Sequence, residues 1–141
     1  MASKVAAGLF NPIGVKRCIC TWRVHDFLPV AIERYKSLEK TLGTAFLNIK
    51  PIFRLFANED IRKQWQVKCS NERMNDFIGD FEPPNSYPFL KDDFGGASIS
   101  PAGYLEVLKF LDASKVFFKS IDCLLKEEFN NGLHSLEIKI N

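Results

Sequence analysis

The sequence predicts an α+β fold, an antiparallel sheet with packed helices. Three features carry that expectation. Helical and extended periodicities are mixed without the regular strand–helix–strand beat of a parallel sheet. One long amphipathic helix is plain between Val24 and Leu42. Near the end, Asn130-Asn131-Gly132 is a tight-turn signal before the alternating stretch Leu133 to Ile140, and a hairpin there favours antiparallel pairing.

The chain opens with Ser3, a residue able to cap a helix start, then Val5, Ala6 and Ala7, and then Gly8 as a left-handed stop. That makes about one helical turn, too short to be stable alone. A loop with Pro12, Gly14 and Lys16-Arg17 leads to a short strand from Cys18 to Trp22. In a strand the Cys18 and Cys20 thiols share a face.

The helix from Val24 to Leu42 presents Phe27, Leu28, Ala31, Ile32, Tyr35, Leu38 and Leu42 at helical spacing. Glu33, Arg34, Lys36, Glu39 and Lys40 make its wet face. Asp26 is the expected N-cap, which puts Pro29 in the first turn, and Gly43 is the stop. Ala45 to Phe56 reads as a strand interrupted by Pro51. Asn58 caps the next helix, with Glu59 and Asp60 in its first turn and Ile61 and Trp65 facing inward. Ser70 to Ile78 is expected as a short helix stopped by Gly79.

Asp80 to Gly96 is loop-rich, and Phe81, Tyr87, Phe89, Leu90 and Phe94 make it a packed loop rather than a tether. Ala97 to Ser100 is short and extended. Ser100-Pro101 then reads as a cap followed by an N1 proline, starting a helix to about Lys119. Cys123 to Phe129 is expected as a strand leading into the terminal hairpin.

A chain of 141 residues can bury a sizeable core, and thirteen Phe make that core aromatic. The net charge of +2 makes no electrostatic case for nucleic acid or an anionic membrane. No apolar run reaches the ~20 residues of a membrane helix. Asn11-Pro12 and Gly14 break the early apolar stretch too soon for a signal peptide, so a cytoplasmic setting is expected. Cys18, Cys20, Cys69 and Cys123 lack the spacing of a redox or zinc motif and read as small apolar side chains in a reducing compartment. No metal site is expected: Asp92-Asp93 could meet a cation, but too few oxygen ligands surround them for calcium.

Several stretches together resemble the FAD-dependent oxidoreductases of the glycine/D-amino-acid oxidase family. They are Ser3 to Pro12 (Ser-Lys-Val-Ala-Ala-Gly-Leu-Phe-Asn-Pro), Thr21-Trp22, Ile52-Phe53-Arg54-Leu55-Phe56, Gly95-Gly96-Ala97, and Pro101-Ala102-Gly103-Tyr104-Leu105. The run Pro12-Ile13-Gly14-Val15-Lys16-Arg17 departs from the family's Pro-x-Thr-Gly-Arg pattern. The G-x-G-x-x-G turn with which relatives begin does not occur here. The resemblance therefore implies a fragment of a flavoprotein. Residues 1–22 would be the remnant of the FAD-contacting segment, and 23–141 a substrate-domain-like α+β region. The implied activity of the intact protein is oxidation of a C–N bond in an amine or amino acid, with FAD as hydride acceptor. The missing FAD-binding part would come from the same or another chain, and this chain alone would be inactive.

By the same resemblance, Ser3, Ala6, Ala7, Gly8 and Leu9 match positions that lie against the flavin and its phosphates. Without neighbours, the same residues make a frayed terminal turn with no role. Arg54, on a strand face between Phe53 and Leu55, is the substrate-binding candidate, because a guanidinium grips a carboxylate at two points. The plain alternative is a solvated strand residue or a structural ion pair. No catalytic residue is expected within the chain. His25 and His134 have no carboxylate at suggestive spacing, and Glu127-Glu128 point to opposite faces of a strand. The rival function is a stand-alone, non-enzymatic α+β module that binds a partner or small ligand.

Overall fold

The computed structural model of the protein describes residues 5–14, 18–70 and 72–125. The fold is α+β, and every strand pair in it is antiparallel. The predicted terminal hairpin, with His134 and Glu127-Glu128, lies outside the described residues, as do Ser3 and Lys16-Arg17.

One ribbon, residues 96–105, is the middle strand of both larger sheets. Its first half, β7 (Gly96–Ile99), pairs on one edge with β5 (Ile52–Leu55) and on the other with β6 (Ile78–Glu82). Its second half, β8 (Gly103–Leu105), runs between β1 (Leu9–Phe10) and β4 (Leu47–Ile49). The join stays bonded as well: Ser100 N–H donates to the Phe77 carbonyl and Lys50 N–H to the Ala102 carbonyl, each at 2.8 Å. The ribbon is built of small residues, and Gly96, Ala97, Ala102 and Gly103 are buried. At Gly103 an added Cβ would strike the Asn48 carbonyl oxygen.

This arrangement corrects the helix expected from Pro101. Backbone groups of residues 103–105 are committed to β1 and β4 on both sides. The helix, α4 (Val107–Ser120), begins after them. The Ser100–Pro101 peptide is cis. Gly79 is a second correction. It lies inside β6, where a Cβ would strike the Ser98 hydroxyl, and only α3 (Glu72–Asn75) is helical before it.

Helix α1 (Val24–Leu42) has the predicted extent and the predicted Gly43 cap at φ 62°. Its start differs. Arg23, at φ 49°, is the capping position, and Asp26 sits in the first turn, taking a 2.8 Å bond from Arg23 Nε. Glu39 is not on a wet face: its Oε1 accepts both the Phe46 and Leu47 N–H groups at 2.7 Å. That carboxylate ties the end of α1 to the start of β4. Pro51 divides the expected strand into β4 and β5, which enter different sheets. Asn58 caps α2 (Glu59–Cys69) as predicted, its side chain accepting the Ile61 N–H at 2.9 Å.

The main core lies between the β5–β7–β6 sheet and α2, where Phe56, Trp65, Met74, Phe77, Ala97 and Ile99 are buried together. The β2 (Ile13–Gly14) and β3 (Ile19–Cys20) hairpin closes one end with Ile13. A second aromatic cluster, Tyr35, Phe46 and Phe110, joins α1 and α4 to the other sheet, with ring centroids 5.1–5.8 Å apart. Burying a side chain such as Phe46 contributes about 1.5–3 kcal/mol. Cys123 to Leu125 forms no strand, and the rest of that expected strand lies outside the described residues.

The central loop is packed around Asp92, only 1% exposed. Its Oδ2 accepts the Ser86 N–H at 2.9 Å, and its carbonyl takes the N–H groups of Asn85 and Gly95. Phe81, Tyr87 and Phe94 are partly buried as expected, whereas Phe89 and Leu90 are exposed. Replacing Asp92 by Ala strands the Ser86 N–H, a loss of about 1–3 kcal/mol. Urea unfolding of Asp92→Ala should show a midpoint shift of that size.

Candidate functional site

The N-terminal segment runs along the start of α4. Ala6 and Ala7 are exposed and non-helical, so the turn expected from the Ser3 cap to Gly8 does not extend past Val5; its start lies outside the described residues. Gly8, at φ 65°, accepts the Leu105 N–H on its carbonyl at 2.9 Å. A Cβ at Gly8 would strike the Leu105 carbonyl oxygen, so the bare backbone there serves the approach of β8. Leu9 pairs with Tyr104 and keeps its side chain exposed.

Ala6 and Ala7, with Glu106, Val107 and Lys109, line a shallow depression of about 340 Å³. The Lys109 ammonium, 2.6 Å from Glu106, and the Asn48 amide hold the Glu106 carboxyl below its ordinary range. Gly8→Ala should therefore lower stability by more than the ~1 kcal/mol common for left-handed glycine sites, since strain and collision add. A thermal melt of the purified chain measures it without any ligand.

Arg54 lies in β5 directly opposite Ala97, so with Ile52 and Ile99 it shares the face that carries the core. Its side chain is half-buried, and its Nε is fully buried with no hydrogen-bond partner. Among the described residues it forms no ion pair. Only the Nε is enclosed; the two terminal guanidinium nitrogens are not among the buried atoms, so they remain open to solvent. Arg62 shows the contrast: its guanidinium donates to the carbonyls of Glu82 and Phe94 at 3.0 and 2.7 Å. An unpaired buried guanidinium N–H costs on the order of 1–3 kcal/mol or more, a deficit that an anionic oxygen would remove.

A depression of about 750 Å³ lies where α1 meets α3 and is lined by Cys20, Trp22, Arg23, His25, Arg73 and Asp76, among others. His25 Nε2 stands 3.2 Å from Asp76 Oδ2, and its ring lies 4.6 Å from that of Phe77. Sequence reasoning missed this carboxylate because it arrives from a distant element, with no local signal. The Arg23 guanidinium sits 4.8 Å from the Phe27 ring and 5.6 Å from that of Trp22, which is 75% exposed. Acidic and basic side chains are matched here, so the patch offers aromatic stacking more than net charge.

The thiols are arranged differently from the predicted strand. Cys18, at φ 48°, precedes β3 and is buried in the same core cluster as Cys69 at the end of α2. Cys20 is half-buried and donates to the Arg73 carbonyl at 3.3 Å. Burial pushes the Cys69 thiol up to about 12, with Cys18 adding to the effect. Burial also raises Cys18, against the opposing pull of Lys68. A thiol raised on folding stays protonated while the unfolded chain ionises, so stability is lost as pH rises from about 9 toward 12. Cys69→Ala should flatten that alkaline loss in urea titrations repeated across this range. Among the described residues no group of three or more His, Cys, Asp or Glu side chains is placed to hold a metal ion. No described helix is long and apolar enough to cross a membrane.

No family model, curated protein or solved structure matches the chain.

Proposed function

We propose that this chain is the substrate-domain part of a FAD-dependent oxidoreductase of the glycine/D-amino-acid oxidase type, acting on an amine or amino acid. One observation carries it. Four of the stretches on which the resemblance rests are far apart in sequence, yet they pair with one another as strands. Leu9–Phe10 lies against Gly103-Tyr104, and Ile52–Leu55 lies against Gly96–Ile99.

Arg54 supports the same reading, since its buried Nε lacks a partner among the described residues and a guanidinium suits the carboxylate of an amino acid. The fit to the cofactor is partial. Ala6, Ala7 and Leu9 are open to an approaching group, while Gly8 is already committed to β8. When bound, FAD would accept the hydride from the substrate's C–N bond. Ala6 and Ala7 would offer backbone and little bulk beside it, and Arg54 would hold the substrate's acidic end. The FAD-binding part would come from the same or another chain. Free thiols at Cys18, Cys20, Cys69 and Cys123 support a reducing, cytoplasmic setting. A second reading, a non-enzymatic binding module, is favoured by the exposed Trp22–Arg23–Phe27 group.

The two are separated by the DNA flanking the reading frame and by flavin titration. The oxidoreductase requires a strand–G-x-G-x-x-G–helix unit upstream in frame or in a neighbouring gene. The chain alone should give no stoichiometric yellow complex at micromolar FAD, whereas the chain joined to that unit should. In the joined protein, Arg54→Gln should raise KM for an amino acid roughly tenfold or more, and much less for the amine lacking the carboxylate. Flanking DNA without such a unit, or a yellow complex from the chain alone, overturns the proposal.

A further inference from the structure

Helix α1 does not close fully onto the sheet beside it. Its apolar stripe faces that sheet, yet Val24 is the helix's one buried residue, and Leu28, Ile32 and Tyr35 are only partly covered. Between the stripe and the β1–β8–β4 sheet lies a pocket of about 270 Å³. Phe10, Leu47 and Leu105 form its other wall, and no charged side chain lines it. The strand backbone there is already committed. Leu9 pairs with Tyr104 and Leu47 with Leu105, and the Leu105 N–H donates to the Gly8 carbonyl. Water admitted to such a space is poorly held, since a buried water usually makes about three hydrogen bonds.

We propose that this pocket binds a small, uncharged aromatic molecule of one or two rings. Size sets the upper limit. An apolar cavity of about 150 Å³ takes benzene, so this pocket has room for a second fused ring and little more. Charge sets the class. With no counter-charge to meet it, an ionised ligand gives up its hydration without return. The lining favours a ring: Phe10 on the sheet side and Tyr35 on the helix side can meet an aromatic guest edge-on or offset. The Tyr35 ring is held in place by Phe110, 5.8 Å away at 85°. Its hydroxyl has no hydrogen-bond partner among the described residues, and it offers the guest one polar contact. The site includes neither Arg54 nor the depression with Glu106 and Lys109, so its occupancy is separate from the flavin reading.

The test is a titration of the purified chain, its methyl groups labelled for NMR, with indole. Indole should shift the methyl resonances of Leu28, Ile32, Leu47 and Leu105 together, with half-saturation at about 1 mM or below. Indole acetate, the same ring carrying a carboxylate, should bind at least about tenfold more weakly. Ala31 also lines the pocket, and Ala31→Phe puts a ring into the space. That variant should lose the indole shifts while its thermal melt stays cooperative. The wild-type titration decides even if the variant fails to fold. No saturable shift, shifts centred instead on the exposed Trp22–Phe27 pair, or equal binding of the two probes would overturn the proposal.

Discussion

The rest of the fold depends on the requirement that buried backbone groups be paired on both edges of one ribbon, residues 96–105. A middle strand has no solvent to turn to, so each N–H and C=O needs a partner strand. Here one run of chain makes that demand twice, first on β5 and β6 and then on β1 and β4. Small residues make it possible. Gly96 lets the Phe53 ring and the Arg54 carbonyl come close, and Gly103 does the same for the Asn48 carbonyl and the Phe10 ring. Larger side chains at these positions would force the flanking strands apart.

The candidate features sit where this ribbon puts them. Arg54 faces the core because β5 registers against Ala97, whose single methyl leaves room beside it. The depression at Ala6 and Ala7 exists because β1 docks on β8 just before α4 begins. Cys18 and Cys69 belong to the same core cluster as Ala97, where the β2–β3 hairpin packs on α2.

Local signals in the sequence were enough for the elements that need only local physics. The α1 span, its Gly43 cap, the Asn58 cap and the break at Pro51 all follow from periodicity, capping and proline chemistry. The elements misread are those whose conformation is imposed from outside. Gly79 looks like a stop but lies in a strand because Ser98 passes across it. Residues 103–105 look like a helix opening but are claimed by strands on both sides. The same division holds for the sites. Arg54's place on a strand was legible, and its buried unpartnered Nε was not. Nor was the meeting of His25 with Asp76, since nothing in either neighbourhood announces a partner so far along the chain.

The pairing of β1 with β8 has a consequence for how the protein is made. Leu9 finds its partner, Tyr104, roughly 95 residues later. At a synthesis rate of about 5–20 residues per second, the opening segment waits on the order of 5–20 s for the strand it must join. Helix α1 and the Asn58-capped turn can form during that interval from nearby residues. The N-terminal strand cannot, and its apolar Leu9-Phe10 stays available to other partners until the ribbon emerges. Chaperone contact or mispairing during synthesis would therefore fall first on the opening residues.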